Sequence, residues 1–197
     1  MFANRFTTLI DACALAGALR RNLQLTLAEA EFFRVRWSAE ILKETQKAIE
    51  EILTKKGVPD AVDGQVGASD SLDGDSFRRR FGCQLWGFFK ACEKLPDQND
   101  AHVLAAALKT QASIIVSDNL KHFPPDIIRS LNLEVLSSDK FIADTIALDI
   151  GRALPAIKRM RDRFKNPAMT GEELLVHMEA QGLIETVDVL KAHIESI

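Results

Sequence analysis

The sequence predicts an α/β fold: a central parallel sheet covered by helices on both faces, followed by a small all-helical region. Three observations carry this expectation. Short β-prone runs at Phe6–Ile10, Ile114–Val116 and Leu133–Leu136 alternate with helical patterns, the signature of a doubly wound sheet. The helical patterns between strands have the ~10–15-residue length of crossover helices. From Asp139 onward the periodicity is helical only.

Taken in order, Phe6-Thr7-Thr8-Leu9-Ile10 stops at Asp11, and CALAGALRR then reads as a helix start. Leu25 to Glu31 is apolar at mixed spacing, and Phe32–Trp37 alternates like a short strand. Ser38 is placed to cap a helix that continues to about Thr54, although the Glu of a capping box is missing. Residues 55–82, rich in Gly, Asp and Ser, read as a long mobile loop. The run Arg78-Arg79-Arg80 follows, and then an apolar stretch, Gln84–Phe89, expected to be a helix. Pro96 and Asp97 make a turn before an Ala-rich helix, Asp100 to Lys109, with Val103, Leu104, Ala107 and Leu108 on one side. This helix feeds the strand Ile114–Val116.

In the C-terminal part, IADTIALDIGRALPAIKRMRDRF is a long amphipathic candidate, with Pro155 expected to start a second helix within it. Asn166-Pro167 breaks the pattern, Thr170–Glu173 is a capping box, and Gly182 is a C-terminal stop. The expected division is a sheet-containing domain over 1–140 and a helical extension over 141–197.

Composition narrows the function classes. A chain of 197 residues suffices for one well-buried domain with a small second one. No apolar run approaches the ~20 residues of a membrane span, and the N-terminus has too short an apolar stretch for a signal peptide. A cytoplasmic location is therefore expected. Cys13, Cys83 and Cys92 form no CxxC pair, which argues against a disulfide framework or a thiolate zinc site. The net charge of −3 supplies no global positive field for nucleic acid. Local basic groups, such as Arg78–Arg80 and the Lys158–Lys165 cluster, or a bound cation would have to supply it.

Acidic residues line up with the element ends. Asp11 ends the first strand, Glu44 lies on the helix after Ser38, Asp100 opens the Ala-rich helix, and Ser117-Asp118-Asn119 closes the strand Ile114–Val116. In a doubly wound sheet, strand carboxyl ends and helix N-termini share one rim, where ligands bind. Clustered carboxylates repel unless a hard divalent cation joins them, and Mg²⁺ or Mn²⁺ would take such oxygen ligands. That cation could hold a phosphodiester and activate water. Each residue also has an ordinary explanation: Asp11 and Asp97 as turn residues, Asp100 as a helix cap, Glu40 and Glu44 as solvated helix charges, His102 and His122 as packed or surface histidines. Spacing alone leaves both readings open.

The stretches LIDACAL, WSAEILKE, LPDQNDAHVLAAAL and IIVSDNLKHFP together resemble the PIN-domain ribonucleases, in the branch of VapC-type toxins. They cover about residues 6–54 and 93–125 in matching order, and MTGEELLVHMEAQGL is similar to a helical extension of some such toxins. The resemblance implies a three-layer α/β/α domain acting as a Mg²⁺- or Mn²⁺-dependent endoribonuclease, with RNA as substrate, a cognate antitoxin as partner and a homodimer as the assembly. It places the family's acidic positions on Asp11, Glu44 (chosen over Glu40), Asp100 and Asn119. Ser117 stands in a Thr position, Asp97 is accessory and Asp118 a spare metal ligand. Three departures stand out: Asn119 is an amide, His122 occupies a position usually held by Asp, and residues 55–85 match little of the family's pattern. They motivate a second reading, a PIN-fold binding module with weakened or lost catalysis. A third, structure-specific cleavage of DNA, would use the same chemistry.

Overall fold

The computed structural model describes residues 6–55, 95–165 and 168–197. Beyond Lys55, the loop expected over 55–82, the arginine run, the helix at Gln84–Phe89 and the Asn166-Pro167 break lie outside the described residues. Strands β1 (Thr7–Ile10), β2 (Arg34–Arg36), β3 (Ile114–Val116) and β4 (Glu134–Leu136) form one sheet in the order β2-β1-β3-β4. All three pairings are parallel, with Leu9 opposite Ile115 and Ile10 opposite Val116. Thr8, Leu9, Ile10, Ile115 and Val116 are buried, as central strands covered on both faces must be. At the edge of the sheet formed by the described residues, β2 exposes Arg34 and Arg36, charges of the kind that discourage strand addition.

Helices α1 (Ala12–Ala16) and α2 (Ala18–Glu29) follow β1, and α3 (Ala39–Lys55) follows β2. Next come α4 (Ala101–Thr110) before β3 and α5 (Pro125–Ser130) before β4. The last four are α6 (Ser138–Leu148), α7 (Ile150–Arg161), α8 (Gly171–Ala180) and α9 (Ile184–Leu190). The sequence of β1, β2 and β3 fixes the place of greatest interest. After β1 the chain pairs β2 on one side, then returns to lay β3 on the other. The crevice beyond the carboxyl ends of β1 and β3 is thus the topological switch point, where open α/β sheets bind ligands.

Local chemistry explains most element ends. Ser38 Oγ accepts from Ile41 N at 3.2 Å and starts α3, which sinks Ile41 and Thr45 one turn apart. Gly17, in extended conformation, separates α1 from α2, and Arg21 Nη1 donates to the Leu15 carbonyl at 2.7 Å to satisfy the end of α1. Helix α2 buries Leu19, Leu23, Thr26 and Leu27 at helical spacing, with Gln24 beside them, and packs on α1, α6 and α7.

The expected break at Pro155 is corrected to Asp149. Asp149 caps α7 by accepting from Arg152 N at 3.1 Å, while Pro155 lies inside that helix. Pro155 and Gly151 one turn earlier are both exposed, so the Gly151 carbonyl that proline cannot serve lies on the solvent side of the helix. The capping box is present in full: Glu173 N donates to Thr170 Oγ1 at 3.2 Å and Thr170 N to Glu173 Oε2 at 2.8 Å. Gly182, at φ +78, supplies the left-handed residue after α8.

The C-terminal helices share the sheet domain's core. Leu174, Met178, Leu183 and Leu190 belong to the same buried cluster as Leu9 and Ile10. Phe141 meets Phe33 edge-on with centroids 4.9 Å apart, and the Arg152 guanidinium lies 4.0 Å above the Phe32 ring. Asp139 holds α9 by accepting from Glu185 N, Thr186 N and Thr186 Oγ1 at 2.8, 2.9 and 2.8 Å. Among the described residues, no helix is long and apolar enough to cross a membrane.

Candidate metal centre

Asp11 stands directly after β1 and is 4 % exposed. Its backbone N–H donates to the Val116 carbonyl at 2.9 Å, which extends the β1–β3 pairing to the rim. Its carboxylate serves two masters. Oδ1 accepts from Ala12 N at 2.6 Å and caps α1, while Oδ2 accepts from Ser117 Oγ at 2.8 Å and Cys13 Sγ at 3.2 Å. The ion pairs among the described residues do not include Asp11. A buried carboxylate held by neutral donors and facing a switch point suits a cation.

Ser117, wholly buried, ties the end of β3 together: besides donating to Asp11, its Oγ accepts from Asn119 N at 3.2 Å. Burial first, and the charge of Asp11 next, push the Cys13 thiol up to about 11. Cys13 is therefore a neutral donor at ordinary pH, and its sulfur also accepts from Asp118 N at 3.3 Å. The exposed Asn119 side chain has no hydrogen-bond partner among the described residues. Asp118 uses both its oxygens within the protein: Arg20 Nη1 binds Oδ2 and Ser138 N donates to Oδ1 at 2.9 Å. The expected spare ligand is thus engaged in bracing the rim.

A second cluster forms where α4 begins. Asp100 occupies the N-cap position of α4 but its side chain makes no capping bond. The plain helix-cap explanation is therefore not realised. Asp100 Oδ2 lies 2.5 Å from His122 Nδ1, and Asp97 Oδ2 lies 3.8 Å from the same nitrogen. Asp97 also makes the expected turn, its Oδ1 accepting from Asn99 N at 2.9 Å. Ligand atoms of Asp97, Asp100 and His122 all fall within 4.8 Å of one another, a set able to hold one metal ion.

Glu44, on α3, meets His102 instead of this cluster: Oε2 is 3.3 Å from His102 Nε2, in a direction that makes no hydrogen bond. His102 Nδ1 in turn contacts the Asn99 carbonyl at 2.6 Å. Glu40, one turn before Glu44, is held below the usual carboxylate range, first by its own backbone N–H and then by Ser38, with His102 contributing charge. Asp11, Cys13, Ser117 and Asn119 thus form one contact network, and Asp97, Asp100 and His122 another. The 3₁₀ turn Leu120–His122, directly after Asn119, joins them along the rim. Sequence reasoning weighed His122 as a packed or surface histidine standing in an Asp position, and Cys13 only as an unpaired cysteine. Their signals were proximity to an expected ligand: three residues after Asn119, and two after Asp11 in the first turn that Asp11 caps.

The donor set, carboxylate oxygens with one imidazole and an amide, fits a divalent cation of the Mg²⁺ to transition-metal range.

Comparison with known proteins agrees with this architecture. The PIN domain family model matches residues 7–121, and the model described as the VapC50 C-terminal domain matches residues 138–192. The chain is 38% identical over 76 residues to "Putative ribonuclease VapC50" of Mycobacterium tuberculosis (strain ATCC 25618 / H37Rv). That alignment covers 39% of this chain and 45% of the relative, so the match spans less than half the relative's length. No solved structure matches the chain significantly. With more than half of its residues matched by that family and a parallel sheet whose switch point carries the acidic rim, the chain belongs to the PIN domain family.

Proposed function

We propose that the protein is a divalent-metal-dependent endoribonuclease that hydrolyses RNA phosphodiester bonds as the toxin of a type II toxin–antitoxin pair. The observation that carries this reading is Asp11: buried, outside every ion pair of the described residues, and set at the β1–β3 switch point beside Ser117. Family membership and the relative named a ribonuclease support the choice of substrate and of an antitoxin partner. The reading includes a cytoplasmic, homodimeric protein, a nuclease domain over 1–140 and a helical extension over 141–197.

In this reading Asp11, Glu44 and Asp100 hold the cation, directly or through water. When bound, Mg²⁺ or Mn²⁺ supplies the positive charge that draws the phosphodiester and makes a water easier to deprotonate. Ala12 N and Ser117 Oγ fix the plane of the Asp11 carboxylate, so its orientation is set before any ligand arrives. Asn119, exposed at the same rim, presents an amide to orient the phosphate or the attacking water. Asp118 keeps the loop in place through Arg20 and Ser138. A covalent enzyme intermediate is no part of this reading: the hydroxyl of Ser117 is buried and already donated.

The test is cleavage of a mixed RNA with Mg²⁺ or Mn²⁺, with and without chelator. Asp11→Asn and Asp100→Asn are each expected to remove cleavage while leaving circular dichroism unchanged. If both variants cleave like the wild type, the site assignment fails. The second reading, a binding module without catalysis, is favoured by the amide at Asn119 and the direct His122–Asp100 contact. It predicts metal-independent RNA or partner binding with no cleavage by the wild type. A matched DNA substrate separates RNA from DNA specificity.

A further inference from the structure

The geometry points to His122 as a nitrogen ligand of the divalent cation, so that this centre selects a first-row transition ion such as Mn²⁺ over Mg²⁺. The inference rests on the metal-dependent reading of the site.

The first argument is spacing. Bonds of about 2.1 Å put neighbouring ligand atoms of an octahedral ion about 3 Å apart and opposite ones about 4.2 Å apart. His122 Nδ1 lies 2.5 Å from Asp100 Oδ2 and 3.8 Å from Asp97 Oδ2, and all three donors fall within 4.8 Å. These separations straddle the octahedral values, and opening the His122–Asp100 contact by about half an ångström admits the ion.

The second argument is anchoring. His122 closes a 3₁₀ turn in which its N–H donates to the Asn119 carbonyl at 3.0 Å, so the imidazole is carried by the rim itself. Asp100 ends the facing turn Gln98–Asp100, where its N–H donates to the Asp97 carbonyl at 3.3 Å. Asp97 spends Oδ1 on Asn99 N and leaves Oδ2 toward His122. Asp100, at a cap position, spends neither oxygen on its helix. Donors carried by two separately fixed turns therefore converge.

The third argument is ligand preference. Mg²⁺ sheds water reluctantly and takes oxygen donors, and Mn²⁺ also favours oxygen but opens the first-row series, along which affinity for nitrogen-containing sites rises to Cu²⁺. Exchanging an oxygen position for imidazole handicaps Mg²⁺ more than Mn²⁺. A competing role for His122, as a cation that merely neutralises Asp97 and Asp100, predicts the opposite response to its removal: metal would bind more tightly.

The experiment titrates the full chain with Mn²⁺ and with Mg²⁺ by calorimetry and records electron spin-echo modulation of the Mn²⁺ form. Wild type is expected to bind Mn²⁺ at least about tenfold more tightly than Mg²⁺, the scale on which single groups around a metal act. The spectrum should carry modulation from a directly bound imidazole nitrogen. His122→Asp should lose that modulation and narrow the Mn²⁺/Mg²⁺ ratio, His122→Asn should weaken Mn²⁺, and His102→Gln should retain the modulation. Wild type that binds Mn²⁺ without nitrogen modulation, modulation lost in His102→Gln instead, or tighter Mn²⁺ binding by His122→Asn overturns the ligand assignment and leaves the metal reading standing. Wild type that binds neither ion at millimolar concentration overturns both.

Discussion

Replacing Ser117 with Ala removes one oxygen atom from the best-connected point of the rim. Ser117 Oγ donates to Asp11 Oδ2 at 2.8 Å, accepts from Asn119 N at 3.2 Å, and lies 3.4 Å from Cys13 Sγ. A hydrogen bond to a charged group contributes about 1.5–3 kcal/mol. The substitution strips Asp11 of its strongest side-chain donor and leaves only the weak thiol of Cys13 on that oxygen. Asn119 N lies closer to solvent and recovers water, so its share is small. The expected destabilisation is about 2 kcal/mol. With a denaturation slope of about 2 kcal/mol/M, the urea midpoint should fall by about 1 M. Chelator must be present, because a bound cation would add its own stabilisation. Ser117→Thr restores the donor and should recover most of the loss, less a fraction for fitting one methyl group into a closed site. A Ser117→Ala midpoint equal to wild type, or a Ser117→Thr midpoint as low as that of Ser117→Ala, would refute the claim that this hydroxyl secures Asp11.

Alkaline pH tests the Cys13 environment. The unfolded thiol loses its proton near 9.0 but the folded one keeps it to about 11, so the folded state binds more protons between these values. Stability should therefore fall as pH rises through that window, by an amount on the order of 2 kcal/mol, and urea melts of Cys13→Ala should show a flatter profile there. Asp139→Ala deletes the carboxylate that accepts from Glu185 N, Thr186 N and Thr186 Oγ1. Hydrogen exchange over residues 184–197 should accelerate and global stability drop by about 2–3 kcal/mol; unchanged protection would show that α9 is held by packing alone. Thr170→Ala breaks the capping box and should cost about 1 kcal/mol, read as a lower thermal midpoint with the α8 amides exchanging first.

The parallel core and half of the rim were legible because they follow from local chemistry. Thr7–Ile10 and Ile114–Val116 are β-prone runs that end in polar residues, and both ends fall where expected. Ser38, Thr170 and Gly182 were readable for the same reason, since caps are written within four residues. The contact of His122 with Asp100 was not readable, because it joins residues 22 apart through two 3₁₀ turns whose relative placement depends on the sheet. Glu40 and Glu44 share one helix face and both feel His102, so only tertiary geometry separates them. Pro155 misled because proline is a strong local signal, while Asp149 prevailed by offering the new helix a cap.

Ser138 and Asp139, adjacent at the start of α6, face two ways. Ser138 N grips Asp118 on the acidic rim, and Asp139 grips the first turn of α9. Two consecutive residues thereby rivet the C-terminal helices to the loop that carries Ser117 and Asn119. For recombination between relatives, this sets a cutting rule. A chimaera that exchanges the C-terminal helices must be joined before Ser138, and its donor must bring an acid equivalent to Asp139 together with a hydroxyl equivalent to Thr186. A joint placed after Asp139 would pair a foreign helix with a clasp shaped for its native one.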